Sequence, residues 1–151
     1  MRERWKELVP KMTEYVAGFC FNERRDSVAL VEKLKPDWMC GSWNAIGGKI
    51  EKSDRTPWEA MRREFKEETG VTIDNWNFFV SLSGDGWICY FFRAFNDKVY
   101  DCTTVEEEVI RIFPNKELPT IKMANLGWLL AMALDIDKDR AVSFEVKEHY
   151  A

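Results

Sequence analysis

The chain has 151 residues, 46% of them apolar and 32% charged, which fits a globular protein with a real core and excludes a disordered one. A net charge of −4 disfavours wrapping long nucleic acid through its phosphates. It leaves room for a small phosphorylated ligand, because bound metal ions supply positive charge.

One domain spanning residues 1–151 is expected from this length. No apolar run reaches membrane-spanning length, and the opening MRERWKELVPKM lacks the apolar centre of a signal peptide. Cys20, Cys40, Cys89 and Cys102 form no C-x-x-C pair, and the single histidine is His149, so a zinc site is not expected. These cysteines read as reduced, mostly buried thiols, and the protein as cytoplasmic, with no membrane partner. It is expected to be a monomer or a homodimer.

In chain order, residues 15–21 (YVAGFCF) and 27–33 (SVALVEK) predict two strands joined by the polar turn NERRD. A loop with Pro36 and Gly41 leads to a short strand over 43–46, followed by a Gly47-Gly48 turn. Thr56-Pro57-Trp58-Glu59 predicts a helix start: threonine at the cap, proline at the first helical position, glutamate three residues after the cap. The helix runs to Thr69, and Gly70 stops it. NFFVSLSG and GWICYFFRAF predict a hairpin around Gly84-Asp85-Gly86, and EEVIRIF a further strand. IKMANLGWLLAMALD has apolar residues at helical spacing and predicts a second helix packed on the sheet. The fold class is α/β of the α+β kind: a mixed sheet with helices on its faces.

At about 100° per residue, Trp58, Met61 and Phe65 share the buried face of the first helix. Glu64, Glu67 and Glu68 then fall within an arc of about 100° beside that face, where they repel one another. A charge run of this kind can be only a solvated face. Its border with the core, and the glycines upstream that bring backbone carbonyls near it, favour an oxygen-rich site for Mg²⁺ or Mn²⁺.

The segment GGKIEKSDRTPWEAMRREFKEETGV resembles the Nudix box, G-x5-E-x7-R-E-U-x-E-E-x-G-U with U apolar. Gly48 matches the first glycine, and Arg63, Glu64, Phe65, Glu67, Glu68, Gly70 and Val71 match the second half in order. Asp54 stands where the box has glutamate, and the interval from it to Arg63 is one residue longer than the pattern. Either Asp54 still serves, or Glu51 takes its place.

The resemblance implies a Nudix-type sheet sandwiched between helices and hydrolysis of a nucleoside diphosphate linked to another group. It implies metal binding by Glu64, Glu67 and Glu68 with help from the Gly48 carbonyl. Arg63 would orient a carboxylate through a bidentate ion pair. Glu64 is the first choice for the base that takes a proton from water, a task that Glu67 shares as a candidate. A further carboxylate from Glu106, Glu107 or Glu108 would assist, with Glu107 preferred.

Trp43-Asn44 before the glycines resembles the MutT-like branch, which clears oxidised purine nucleoside triphosphates. By that resemblance Asn44 would read the purine edge, and Asn125 and Trp128 would approach the base from the C-terminal helix. Asn44 can equally be a turn-capping residue. Ala124-Asn125 stands where some relatives carry an acidic pair for oxidised guanine. Lys49 is placed to contact phosphate, Arg24 and Arg25 read as turn-surface charges, and Trp38, Phe79 and Trp87 are candidate stacking rings. The expected activity is Mg²⁺-dependent conversion of a nucleoside triphosphate to monophosphate and pyrophosphate. The alternatives are another diphosphate substrate (ADP-ribose, a dinucleotide, an RNA cap) and a non-catalytic nucleotide-binding module.

Overall fold

The computed structural model describes residues 11–135 and 144–148; the N-terminal segment and His149 lie outside the described residues. Among the described residues eight strands form one mixed sheet. β1 (Thr13–Phe21), β2 (Ser27–Glu32), β3 (Trp43–Asn44) and β4 (Ile46–Lys49) precede the long helix α1 (Pro57–Thr69). β5 (Asn77–Gly84), β6 (Trp87–Phe95) and β7 (Ile110–Pro114) follow, then α2 (Leu126–Ala133) and β8 (Phe144–Lys147). The order along the sheet is β3-β2-β1-β6-β5-β8, with β4 also pairing β1 and β7 pairing β2.

β1 is the axis of the sheet. It runs parallel to β6 over nine residue pairs and antiparallel to β4. Alternation along β1 divides the core into two. Val16 and Cys20 face α1, packing with Ala60, Met61 and Phe65. Phe19 and Phe21 face the other way, toward Leu126, Leu129 and Leu130 of α2. β2 alternates likewise, with Ala29 and Val31 on the α1 side and Val28 and Leu30 on the α2 side. The sheet therefore lies between its helices, as the resemblance implied.

Three local expectations change. First, Gly47 and Gly48 make no turn. They lie in β4, opposite Ala17 and Val16, and neither has a positive φ. Glycine is required there for space: a Cβ on Gly47 would run into the Val16 backbone. Second, Trp58 is 49% exposed, while Met61 and Phe65 are fully buried. Trp58 sits in the first turn of α1, at the rim of the core, with its ring edge-on to Phe78 and Phe92. Third, α2 is shorter than its apolar pattern, because residues 121–123 instead run beside β3. β8 has no counterpart in the sequence reading.

The other signals are realised. The Thr56 hydroxyl accepts the Glu59 N–H at 3.2 Å, Pro57 opens α1, and Gly70 closes it at φ +79°. Asp85 and Gly86 form the two-residue β5–β6 turn, with Gly86 at φ +77°. Among the described residues no helix is long and apolar enough to cross a membrane. All four cysteines are free, and Cys40 alone among them is exposed.

Candidate active site

α1 carries Arg63 and the three glutamates on the edge that faces β4 and the loop after it. Arg63 is the hub. Its Nε and Nη2 donate to the two oxygens of Asp54 at 3.0 and 2.7 Å. Nη1 donates to Glu64 at 3.0 Å and to Glu67 at 3.2 Å, and Nη2 also reaches the Lys49 carbonyl at 3.2 Å. The Asp54 side chain is only 5% exposed, whereas Glu51 is 59% exposed and 3.7 Å from the guanidinium. The shorter Asp54 therefore makes the bidentate pair in spite of the extra residue, and Glu51 is a peripheral partner. The longer loop closes on itself: Glu51 N–H donates to Asp54 Oδ2 at 2.9 Å.

Arg63 also settles how the carboxylates tolerate one another. The sequence offers Arg62 and Lys66 as neighbours, but Arg62 turns away to Asp74 at 2.6 Å. The guanidinium between Asp54, Glu64 and Glu67 supplies the missing charge. Its hydrogen bond holds the Asp54 carboxyl below the usual carboxylate range. Burial pushes Glu64 upward, partly opposed by the Arg63 hydrogen bond.

Glu68 differs from its neighbours. It is 9% exposed, its Oε2 is buried with no hydrogen-bond partner, and burial pushes its carboxyl up to about 8. Lys33 opposes that rise, while Glu64, Glu108 and Glu106 add to it. Lys33, Leu34, Lys35 and Glu106 to Glu108 line a cavity of about 400 Å³. The loop is held to the end of α1 by the Thr103 and Val105 N–H groups, which donate to the Thr69 and Glu68 carbonyls at 3.0 and 3.3 Å. Glu107 is exposed, and Glu108 is engaged by Lys33 at 2.9 Å.

Gly48 completes the arrangement. A Cβ there would lie 2.5 Å from the Glu64 carboxyl carbon, so only glycine lets that carboxylate lie against β4. Among the described residues no three acidic, thiol or imidazole groups converge as a ready-made metal cage. The donor set nevertheless fits a hard divalent ion. It offers carboxylate oxygens, one of them buried and unpartnered, beside a glycine whose missing side chain makes room.

Of the residues expected to read a base, Asn44 lies on β3, and Asn125 and Trp128 lie at the start of α2. Trp43 N–H donates to the Ile121 carbonyl and Met123 N–H to the Trp43 carbonyl, both at 3.1 Å, so the chain leading to Asn125 runs along β3. Asn44 and Asn125 are half-buried. The Asn44 Oδ1 accepts the Ala45 N–H at 2.8 Å, the local capping that the sequence allowed. Asn125 Oδ1 is buried without a partner, and Trp128 is 39% exposed. Lys49 is exposed at the end of β4. Of the candidate stacking rings, Phe79 is buried in the α2-side core and Trp38 is 73% exposed. Trp87 is half-buried, and a Cβ on Gly84 would strike its ring. Arg25 lies over the Phe95 ring at 4.2 Å.

Lys33 was missed by sequence reading. A lysine in a strand pattern carries no signal of its own, and its partner Glu108 is 75 residues away.

The model of the NUDIX domain family matches residues 12–131. Among solved structures, a MutT structure from work on Aliivibrio salmonicida and Vibrio cholerae is 24% identical with a TM-score of 0.69, covering 82% of this chain and 98% of that one. A MutT protein from Bacillus halodurans is 24% identical with a TM-score of 0.64, covering 83% and 84%. The NUDIX domain of Shewanella oneidensis NrtR, solved with ADP ribose, is 16% identical with a TM-score of 0.68, covering 85% and 89%. A search of curated proteins gave no significant match. At these identities the structural likenesses speak for the fold, and the family match spans most of the chain. The chain thus belongs to the Nudix family, the hydrolases that act on phosphoric anhydride bonds.

Proposed function

We propose that this Nudix hydrolase is a metal-dependent nucleoside triphosphate pyrophosphohydrolase, yielding monophosphate and pyrophosphate, with purine substrates, oxidised purines such as 8-oxo-dGTP among them, foremost. The observation that carries this reading is the Glu64–Gly48–Glu68 arrangement: one carboxylate seated where a glycine side chain is missing, and one buried with an unpartnered oxygen. Glu64, Glu67, Glu68 and the Gly48 carbonyl would hold Mg²⁺ or Mn²⁺. When bound, the metal supplies charge for phosphate oxygens and a lowered pKa for water.

The remaining work falls to the chain itself. Arg63, locked on Asp54, fixes the orientation of Glu64 and Glu67. Glu64, whose carboxyl burial raises, is the carboxylate proposed to accept a proton from water. Glu67 shares the ligand role, and Glu107 on the loop is the proposed assisting carboxylate. Lys49 contacts phosphate, while Asn44, Asn125 and Trp128 border the base. The unpartnered Asn125 Oδ1 supports a polar group arriving there.

The protein acts in the cytoplasm as one domain over residues 1–151, as a monomer or homodimer, without long nucleic acid or membrane partners. A panel of nucleotides incubated with Mg²⁺ and resolved by chromatography tests the reading. Monophosphate plus pyrophosphate from purine triphosphates is expected. Cleavage of ADP-ribose alone, the ligand bound by the NrtR domain, would move the assignment to that substrate class.

A further inference from the structure

We propose that Lys33 is a specificity-determining residue of the metal site: its ammonium, clamped on Glu108, holds this carboxylate out of the ligand set and so limits how tightly the site takes divalent ions. This rests on the metal reading of Glu64, Glu67 and Glu68 given above.

Lys33 Nζ lies 2.9 Å from Glu108 Oε1, and both side chains are about four-fifths covered, at 20% and 21% exposure. The other oxygen of Glu108 accepts the Leu34 N–H at 2.6 Å. Both oxygens of this carboxylate are thus taken by one short stretch of chain, residues 33 and 34. Glu108 lines one cavity with Lys33, Glu106 and Glu107. The loop that carries it is tied to the C-terminal end of α1 through Val105 and Glu68. A lysine here is a resident cation among the acids of this cavity. It satisfies Glu108 and offsets part of the charge around Glu68 without taking a place at the Glu64 side, where Arg63 serves. Cation affinity of oxygen-ligand sites follows the number of charged ligands, so an acid withheld by a fixed ammonium weakens the site.

The test is direct binding of Mn²⁺ to the substrate-free protein by titration calorimetry, with the free ion followed by electron paramagnetic resonance. It is run at about 1 M salt, where the screening length is about 3 Å and through-space charge effects are suppressed. Lys33→Gln should bind Mn²⁺ about three- to tenfold more tightly than wild type, as expected for one added charged ligand. Lys33→Arg keeps the clamp and should bind as wild type does. Lys33→Gln with Glu108→Gln should lose the gain. Equal affinity in Lys33→Gln and wild type overturns the proposal. So does a gain that survives the second substitution. Glu67→Gln is run alongside. Loss of Mn²⁺ binding there with no effect of Lys33→Gln sinks the Lys33 role alone, whereas wild-type binding by Glu67→Gln sinks the underlying metal reading.

Discussion

The two ends of the proposed site are built in different ways. At the phosphate end, Arg63, Glu64, Glu67 and Glu68 come from two turns of one helix, and Arg63 alone donates to two glutamates, an aspartate and a backbone carbonyl. At the base end, Asn44 comes from β3 while Asn125 and Trp128 come from the start of α2, and no side-chain bond among the described residues links the three. The first end is cross-tied and its geometry is over-determined. The second is joined through the backbone pairing of β3 with residues 121–123. A hydrolase can keep its reaction on the rigid end and alter its substrate on the other, where a change of side chain disturbs few partners.

The largest expected effect tests the rigid end. Glu67→Gln should reduce turnover by on the order of several kcal/mol in barrier at saturating Mg²⁺, the scale of charge stabilisation that a bound metal provides. The fold should persist, because Glu67 is 47% exposed and its loss relieves repulsion. Turnover together with circular dichroism checks both halves; near-normal turnover would remove Glu67 from the site.

Next, Asp54→Ala and Glu51→Ala separate the two partners of Arg63. Removing a covered partner from an ion pair costs up to about 3 kcal/mol, less here because Arg63 keeps Glu64 and Glu67. Glu51→Ala should stay within about 0.5 kcal/mol of wild type, as an exposed pair does. Arg63 holds the folded-state Asp54 carboxyl below its unfolded value, so its stabilisation is present above about pH 4 and disappears as pH falls through the folded value. Asp54→Asn should therefore flatten the acid limb of the stability curve in chemical unfolding. Equal losses in Asp54→Ala and Glu51→Ala would overturn the ranking.

At the base end, Asn44→Ala should lower kcat/KM for purine triphosphates by about 1–3 kcal/mol and change pyrimidine substrates much less. An equal loss on both classes would leave Asn44 as a local cap for Ala45 only.

A pH dependence bears on the buried carboxylate of the rigid end. The Glu68 carboxyl is raised to about 8 in the folded chain, so it holds a proton that the unfolded chain releases near pH 4. Its contribution to metal-free stability then declines as pH rises from about 4 to about 8. A cation must displace that proton, so Mg²⁺ affinity should rise with pH by at most about tenfold per unit and level off near pH 8. Calorimetry in buffers of different ionisation enthalpy would show the released proton, and a flat profile would mean that Glu68 is already ionised.

The sequence by itself determined the parts whose causes are local. Thr56, Pro57 and Gly70 mark the ends of α1 because caps act within a turn, and alternation in β1 and β2 marks two buried faces because side chains alternate along a strand. The spacing of Glu64, Glu67 and Glu68 places them on one edge of a helix for the same reason. Only the tertiary structure decided the rest. Gly47 and Gly48 read as a turn because glycine usually supplies unusual φ, yet here they make room for the Val16 backbone and the Glu64 carboxylate, which lie far off in sequence. Asp54 keeps the place of the box glutamate beside Arg63, ahead of Glu51, because the loop, although one residue longer, closes so that its carboxylate still reaches the guanidinium. Trp58 lies half out of the core, its ring edge-on to Phe78 and Phe92, an arrangement that helical spacing does not specify. Glu108 met Lys33 because the loop 103–108 folds back on the helix end, a pairing across 75 residues that no local pattern encodes.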